Sequence, residues 1–405
     1  MLQNFYKKTQ LSEYITWLLY CIAFLLPFAV EITTVLIYIA AGLALYERIK
    51  RKKIFASLCK HNYLFWAWAV IAGLSVVKSV NVSASFYNYQ VLITQYLSVY
   101  FLGYFYIDNK DKLKKLFLCF GAATVLVSSY GIFQYIQGIS LMERLEWIDV
   151  EQFPELKTRV FSTLSNPNIL AAYLCMSICL SIGLILNRPT KMREKMFLYL
   201  SILLSLICLL LTFSRGAWLS LFVVIVILGM LINKRILIVF LVLTAIGTFF
   251  MQDLIVDRLM SVLNPTDTSS SLRIAFWEST VAMIIDNPLL GVGWAGYQYA
   301  YPEYDFFIND SNVVIYHAHN MYLNMPGEIG ITGGLIYIAM FFYLIKILHE
   351  KYTVLSRDKG YFLSVISCTF VLLLIGITDY PLFNLQISSI FWLISGSSLA
   401  ALTRT

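Results

Sequence analysis

The residues best suited to chemistry in this chain are two histidines and a few arginines, all in polar breaks of an otherwise apolar sequence. His317 and His319 stand one residue apart in Tyr316-His317-Ala318-His319-Asn320, and they are two of only four histidines in 405 residues. Imidazole, with an ordinary pKa near 6.5, is the natural general base at neutral pH. A His-x-His pair also suits half of a metal site. The polar segments supply no third cluster of Cys or His and no Asp-x-Asp, so no metal and no cofactor is expected. A structural role competes with both readings, with one histidine capping the helix that follows.

The arginines are Arg159, Arg215, Arg258 and Arg273. A guanidinium offers a planar fork of donors that matches phosphate or carboxylate. Arg159 precedes Asn166-Pro167-Asn168. Asn166 and Pro167 read as a helix cap and first turn, which leaves Asn168 and Arg159 without a structural reason. Arg215 sits in the short turn Thr212-Phe213-Ser214-Arg215-Gly216 between two apolar runs, which fixes its depth at a membrane rim. Arg273 is expected in the first turn of an amphipathic helix from Ser271 to Asp286, with Leu272, Ala275, Phe276, Met283 and Ile284 as its buried stripe. A cation there opposes the helix macrodipole unless an anion sits beside it. The competing reading pairs Arg273 with Glu278 or Asp267 on the surface.

These side chains must be positioned by membrane helices. The chain is 59% hydrophobic and 13% charged, with a mean hydropathy of +0.74, whereas soluble domains carry about a quarter charged residues. At roughly 20 residues per crossing, the apolar runs predict about twelve spans: 14–30, 32–47, 62–79, 88–107, 113–137, 168–186, 196–212, 217–232, 235–251, 328–347, 361–378 and 383–402. The expected fold is an all-α integral membrane protein, one polytopic domain over 1–405.

With the N-terminus in the cytoplasm, 23 of the 30 Lys and Arg fall inside and 16 of the 23 Asp and Glu outside. The net charge of +7 is then a topology signal, and no nucleic-acid partner is implied. The termini are expected in the cytoplasm. Two sizeable outer segments remain, 138–167 and 252–327, the second between helices nine and ten. The seven outer cations run against the charge bias and five are arginine, which favours an anionic ligand at the outer face. Of the seven cysteines, six lie in apolar runs and Cys59 in a lysine-rich loop, so no disulfide is expected. Mid-span ionisable residues are nearly absent, which argues against an ion-coupled transporter. The aromatics Trp294, Tyr297, Tyr299, Tyr301, Tyr304, Phe306 and Phe307 are candidates for stacking on sugars or, better, for an interfacial belt.

The order Arg159…Asn166-Pro167-Asn168, Ser214-Arg215-Gly216, Ser271-Leu272-Arg273 with Trp277, Asn287-Pro288-Leu289-Leu290-Gly291-Val292-Gly293, and His317-Ala318-His319-Asn320 with Leu323, Glu328 and Gly330 resembles the O-antigen ligase and polymerase superfamily. The resemblance covers helices six to ten. It implies a GT-C-like membrane glycosyltransferase whose donor is a glycan on undecaprenyl pyrophosphate at the outer leaflet of the bacterial inner membrane. A ligase would move that glycan to lipid A–core, without metal or nucleotide. The runner-up is a polymerase of lipid-linked glycan, and a third reading is a transporter of one. By the same resemblance His319 would be the catalytic base. Arg215, Arg273 and Arg159 would bind pyrophosphate, with His317, Asn320, Asn168 and Arg258 in support.

Overall fold

In the computed structural model the described residues are 2–51, 62–139, 159–187, 191–250, 268–306, 314–354 and 359–403. Among them all regular structure is helical, with no strand. Arg258, Arg144, Lys157, Cys59 and Phe307 lie outside the described residues.

Helices α1 (Leu2–Leu25) and α2 (Val30–Lys50) are followed by α3 (Tyr63–Ser75), α4 (Val82–Asn88), α5 (Thr94–Tyr106) and α6 (Lys110–Gln137). The predicted fourth span therefore starts early, at Val82, and contains a π-turn at Tyr89–Ile93. Next come α7 (Pro167–Leu186), α8 (Met192–Leu211), α9 (Arg215–Leu231) and α10 (Lys234–Phe250). Then follow α11 (Thr268–Asp286), the single turn α12 (Tyr297–Ala300), α13 (Met321–Val354), α14 (Lys359–Ile375) and α15 (Leu385–Thr403). Among the described residues six helices are long and apolar enough to cross a membrane: α2, α6, α7, α8, α13 over Met321–Lys351, and α15. Shorter apolar helices include Gln10–Leu25, Tyr63–Lys78, Arg215–Leu231 and Lys359–Ile375. The chain is a multi-pass membrane protein.

α15 is buried on nearly every side, whereas α2 is largely exposed, so α15 forms the axis of the bundle. It packs on α5, and α14 packs on α7. Small residues permit both contacts: a Cβ on Gly396 would strike the Tyr100 backbone, and one on Gly183 would strike Ser364 and the Gly360 carbonyl. Without an apolar driving force between helices in lipid, such close approach supplies the dispersion contacts that hold them. The described cysteines make no disulfide, and Cys175, Cys179, Cys208 and Cys368 are buried.

The stretch from α11 to the start of α13 builds a small core of its own. Phe276, Met283, Val292, Tyr297, Ala300, Tyr301, Ile315 and Ala318 bury against one another, including Phe276 and Met283 of the predicted helix stripe. This corrects the expectation for three of the aromatics, while Phe306 stays exposed. Trp294, Tyr297 and Tyr301 are 4%, 0% and 2% exposed, so they pack inward and present no sugar platform.

α13 is broken near its start. Ile329 (φ −124°, ψ 16°) and Gly330 (φ 77°, ψ 166°) leave helical geometry. The carbonyls released there are taken up by the Gly291-Val292-Gly293 loop: Val292 N donates to Gly327 O at 2.8 Å and Gly293 N to Glu328 O at 2.9 Å. Ile331 N returns a bond to Pro288 O at 2.9 Å. The Asn-Pro-Leu-Leu-Gly-Val-Gly motif is thus the plug of a helix break. Backbone groups that would be costly unpaired in a membrane protein are satisfied by it.

Candidate active site

The site lies where one end of the bundle gathers the start of α13, the turn after α14, the start of α9 and the N-terminal part of α11. Asn320 organises it. Its Oδ1 accepts from Tyr322 N (2.9 Å) and Leu323 N (3.1 Å), so Asn320, and neither histidine, caps α13. Its Nδ2 donates to Ile377 O at 2.9 Å, while Met321 N donates to Gly376 O at 2.8 Å and Tyr322 Oη to Leu373 O at 2.7 Å. These bonds lash the histidine segment to the turn that carries Asp379.

The result is a His–Asp pair. His319 Nδ1 and Asp379 Oδ1 are 3.2 Å apart. The imidazole is 34% exposed and the carboxylate 11%, so the ring is reachable and the acid is covered. His319 holds φ +48°, a left-handed conformation that costs energy for a non-glycine residue and persists only where surrounding bonds impose it. Burial acts to raise the Asp379 carboxyl. The hydrogen bond from His319 and the charges of His319, His317 and Arg273 outweigh it and hold the group well below the usual carboxylate range. An ionised carboxylate only accepts, so Nδ1 of His319 carries the proton and Nε2 is left as the base.

His317 is arranged differently. Its Nδ1 accepts from the His319 backbone N–H at 3.1 Å, and its ring packs on Phe383 with centroids 4.8 Å apart. Burial pushes its pKa down to about 3, with His319 and Arg273 adding to the fall and Asp379 opposing it. His317 is therefore a neutral wall and acceptor.

Arg273 belongs to this group through electrostatics and packing. It acts on both His317 and Asp379. Phe276, one turn later on α11, stacks on the His319 ring with centroids 5.8 Å apart. The helix-dipole argument for Arg273 fails, however. α11 extends back at least to Thr268, so Arg273 sits in the second turn or beyond, outside the reach of free N-terminal N–H groups.

Arg215 is the first residue of α9 and is 6% exposed. The preceding turn holds Phe213 at φ +51°. Gly216 packs so closely on the Thr378 side chain that a Cβ would overlap it, which brings the Arg215 turn against the residue before Asp379. Arg159 Nε donates to Thr212 O and its Nη2 to Asn168 Oδ1, both at 2.7 Å. Asn168 thus acquires the reason the sequence left open, and Arg159 is tied to the turn that carries Arg215. Asn166 caps α7 as expected, accepting from Asn168 N and Ile169 N.

Beyond the Cys, His and Asp-x-Asp patterns weighed from the sequence, the fold brings a lone acid, Asp379, beside the two histidines. Ligand atoms of His317, His319 and Asp379 lie within 4.8 Å of one another. The donor set fits a cation poorly: Asp379 Oδ1 is engaged with His319 and with Tyr380 N, and His317 Nδ1 with His319 N. Arg273 adds positive charge beside them. Asp379 is also the residue that sequence reasoning missed. Its signal was an acid in the short break Thr378-Asp379-Tyr380-Pro381 between the last two apolar runs.

No curated protein matches the chain. Residues 200–338 match the family model described as O-antigen ligase. That interval includes Arg215, Arg273, His317, His319 and Asn320, and excludes Arg159, Asn168 and Asp379. The segment from within α8 to the first part of α13 is thus similar to the O-antigen ligase family, which supports the resemblance to the O-antigen ligase and polymerase superfamily.

Proposed function

We propose that the protein transfers a glycan from undecaprenyl pyrophosphate to a sugar hydroxyl of lipid A–core, at the outer face of the bacterial inner membrane. The observation that carries this reading is the His319–Asp379 pair set beside Arg273. The acceptor hydroxyl attacks the anomeric carbon and gives its proton to His319 Nε2. The bond from that carbon to the phosphate oxygen breaks, and its electron pair leaves on the diphosphate. Asp379 orients the imidazole and stabilises the imidazolium that forms. Arg273 and Arg215, with Arg159 behind them, stabilise the charge growing on the leaving group. In-line displacement inverts the anomeric centre. No divalent cation takes part in this scheme, because the arginines supply the positive charge. The surroundings fit a donor whose tail stays in lipid while its head is in water, since the site sits at the ends of apolar helices.

A polymerase would run the same chemistry with a second lipid-linked unit as acceptor. The test uses purified protein in lipid nanodiscs, an undecaprenyl-pyrophosphate-linked repeat unit, and lipid A–core. Glycan appearing on lipid A–core supports the ligase. Longer chains on the carrier assign the polymerase. Intact donor in the presence of either acceptor overturns the transferase reading and leaves transport.

A further inference from the structure

Glu328 is a carboxyl buried to 2% exposure at the break in α13, where an apolar residue would cost far less. Its Oε2 accepts from Ala295 N at 3.2 Å, and Ala295 is held at φ +51°. Its Oε1 has no hydrogen bond of ordinary geometry, and neither has Asn324 Nδ2. Yet Asn324, one helical turn earlier, is close enough to act on the carboxyl as a donor. Asn324 Oδ1 in turn accepts from Ala318 N, between the two histidines, at 2.9 Å.

Two routes leave this pair of side chains. Through Asn324 it reaches Ala318 and hence His319. Through Ala295 it reaches Tyr297, whose hydroxyl meets Thr280 at 2.9 Å and Phe276 O at 3.4 Å on α11. α11 carries Arg273, and Phe276 stacks on His319.

We propose that Glu328 is a positioning residue which, paired with Asn324, sets the spacing between Arg273 and His319. This rests on the transferase reading. Transition-state stabilisation needs the leaving-group cation and the base at a fixed separation, and small misplacements are expensive in rate. Donor binding depends on that separation much less.

The acceptor–donor match gives the test. Glu328→Gln keeps an oxygen for Ala295 N but turns an amide toward the Asn324 amide. Asn324→Asp keeps an oxygen for Ala318 N but sets two carboxyls face to face. The double variant restores one acceptor against one donor. Release of undecaprenyl pyrophosphate in nanodiscs is expected to show kcat reduced at least ~10-fold in each single variant, with the donor KM changed less than about 3-fold. The double is expected to return to within about 3-fold of wild-type kcat. Thermal midpoints of the same four proteins should follow the same order. A double variant no better than the worse single, or singles with wild-type kcat, overturns the proposal. Wild-type protein that releases no carrier overturns the transferase reading instead, and the midpoints then still decide whether Glu328 and Asn324 act as a pair.

Discussion

His319 and Asp379 meet at 3.2 Å across 60 residues of sequence, one before α13 and the other after α14. The contact joins a reachable imidazole and a covered carboxylate from two distant segments into a single acid–base unit. Residues that act as a unit lose function together. Asp379→Asn should lower kcat on the order of 1,000-fold, because an amide no longer dictates the imidazole tautomer. His319→Ala should fall about 100- to 10,000-fold. The double variant should be little worse than either single one. Losses that multiply would place the two residues in separate roles.

Arg273 and Arg159 should separate on different axes. Arg273→Lys keeps the charge but loses the fork, so carrier release should drop sharply while the protein remains folded. Arg159→Ala should lower stability by about 1.5–3 kcal/mol, from its two hydrogen bonds to Thr212 O and Asn168. Arg159→Ala with Asn168→Ala should cost little more than Arg159→Ala alone, since they share one bond. Thermal unfolding in detergent reads both.

Acid should destabilise the fold through His317. Its folded pKa of about 3 lies below the unfolded 6.5, so between these values the unfolded chain binds more protons. Stability is therefore full above about pH 6.5 and is lost as pH falls toward 3. The depressed Asp379 carboxyl adds a loss only below its unfolded value of 3.8. His317→Gln should flatten the fall of the thermal midpoint between pH 6.5 and 4.5. An unchanged slope would mean that His317 is not held neutral.

The helix break should be intolerant. Gly330 has φ +77°, and a Cβ would overlap the Leu289 carbonyl. Gly330→Ala should cost more than about 2 kcal/mol, seen as a lowered thermal midpoint and weaker protection of the 287–296 loop from proteolysis.

The helices were legible because an apolar run long enough to cross lipid leaves few alternatives. The predicted helix Ser271–Asp286 differs from α11 by three residues at its start, and the Asn166 cap was readable from the Pro that follows it. Lost from view was everything that depends on pairing between distant segments. Asp379 was one acid among sixteen on its side of the charge count, and nothing local tied it to His319. Asn168 needed Arg159 and Asn320 needed Ile377. The break at Ile329–Gly330 was hidden because it falls at the edge of the apolar run predicted over 328–347, so the first turns of α13 read as loop, and the donors that satisfy it lie far upstream in the Gly291-Val292-Gly293 loop. Arg273 lies a turn deeper than expected because Thr268-Ser269-Ser270 already belong to α11, and serine carries no hydropathy signal that separates a first helical turn from a loop.

The most direct measurement is the rate of undecaprenyl pyrophosphate release from a lipid-linked repeat unit by purified protein, in excess chelator, for wild type and His319→Ala. Full wild-type turnover in chelator, with His319→Ala slower by about 100- to 10,000-fold, is the expected result. Turnover by wild type that stops in chelator and returns with a divalent ion would contradict the account and make His317, His319 and Asp379 metal ligands. So would near-normal release by His319→Ala.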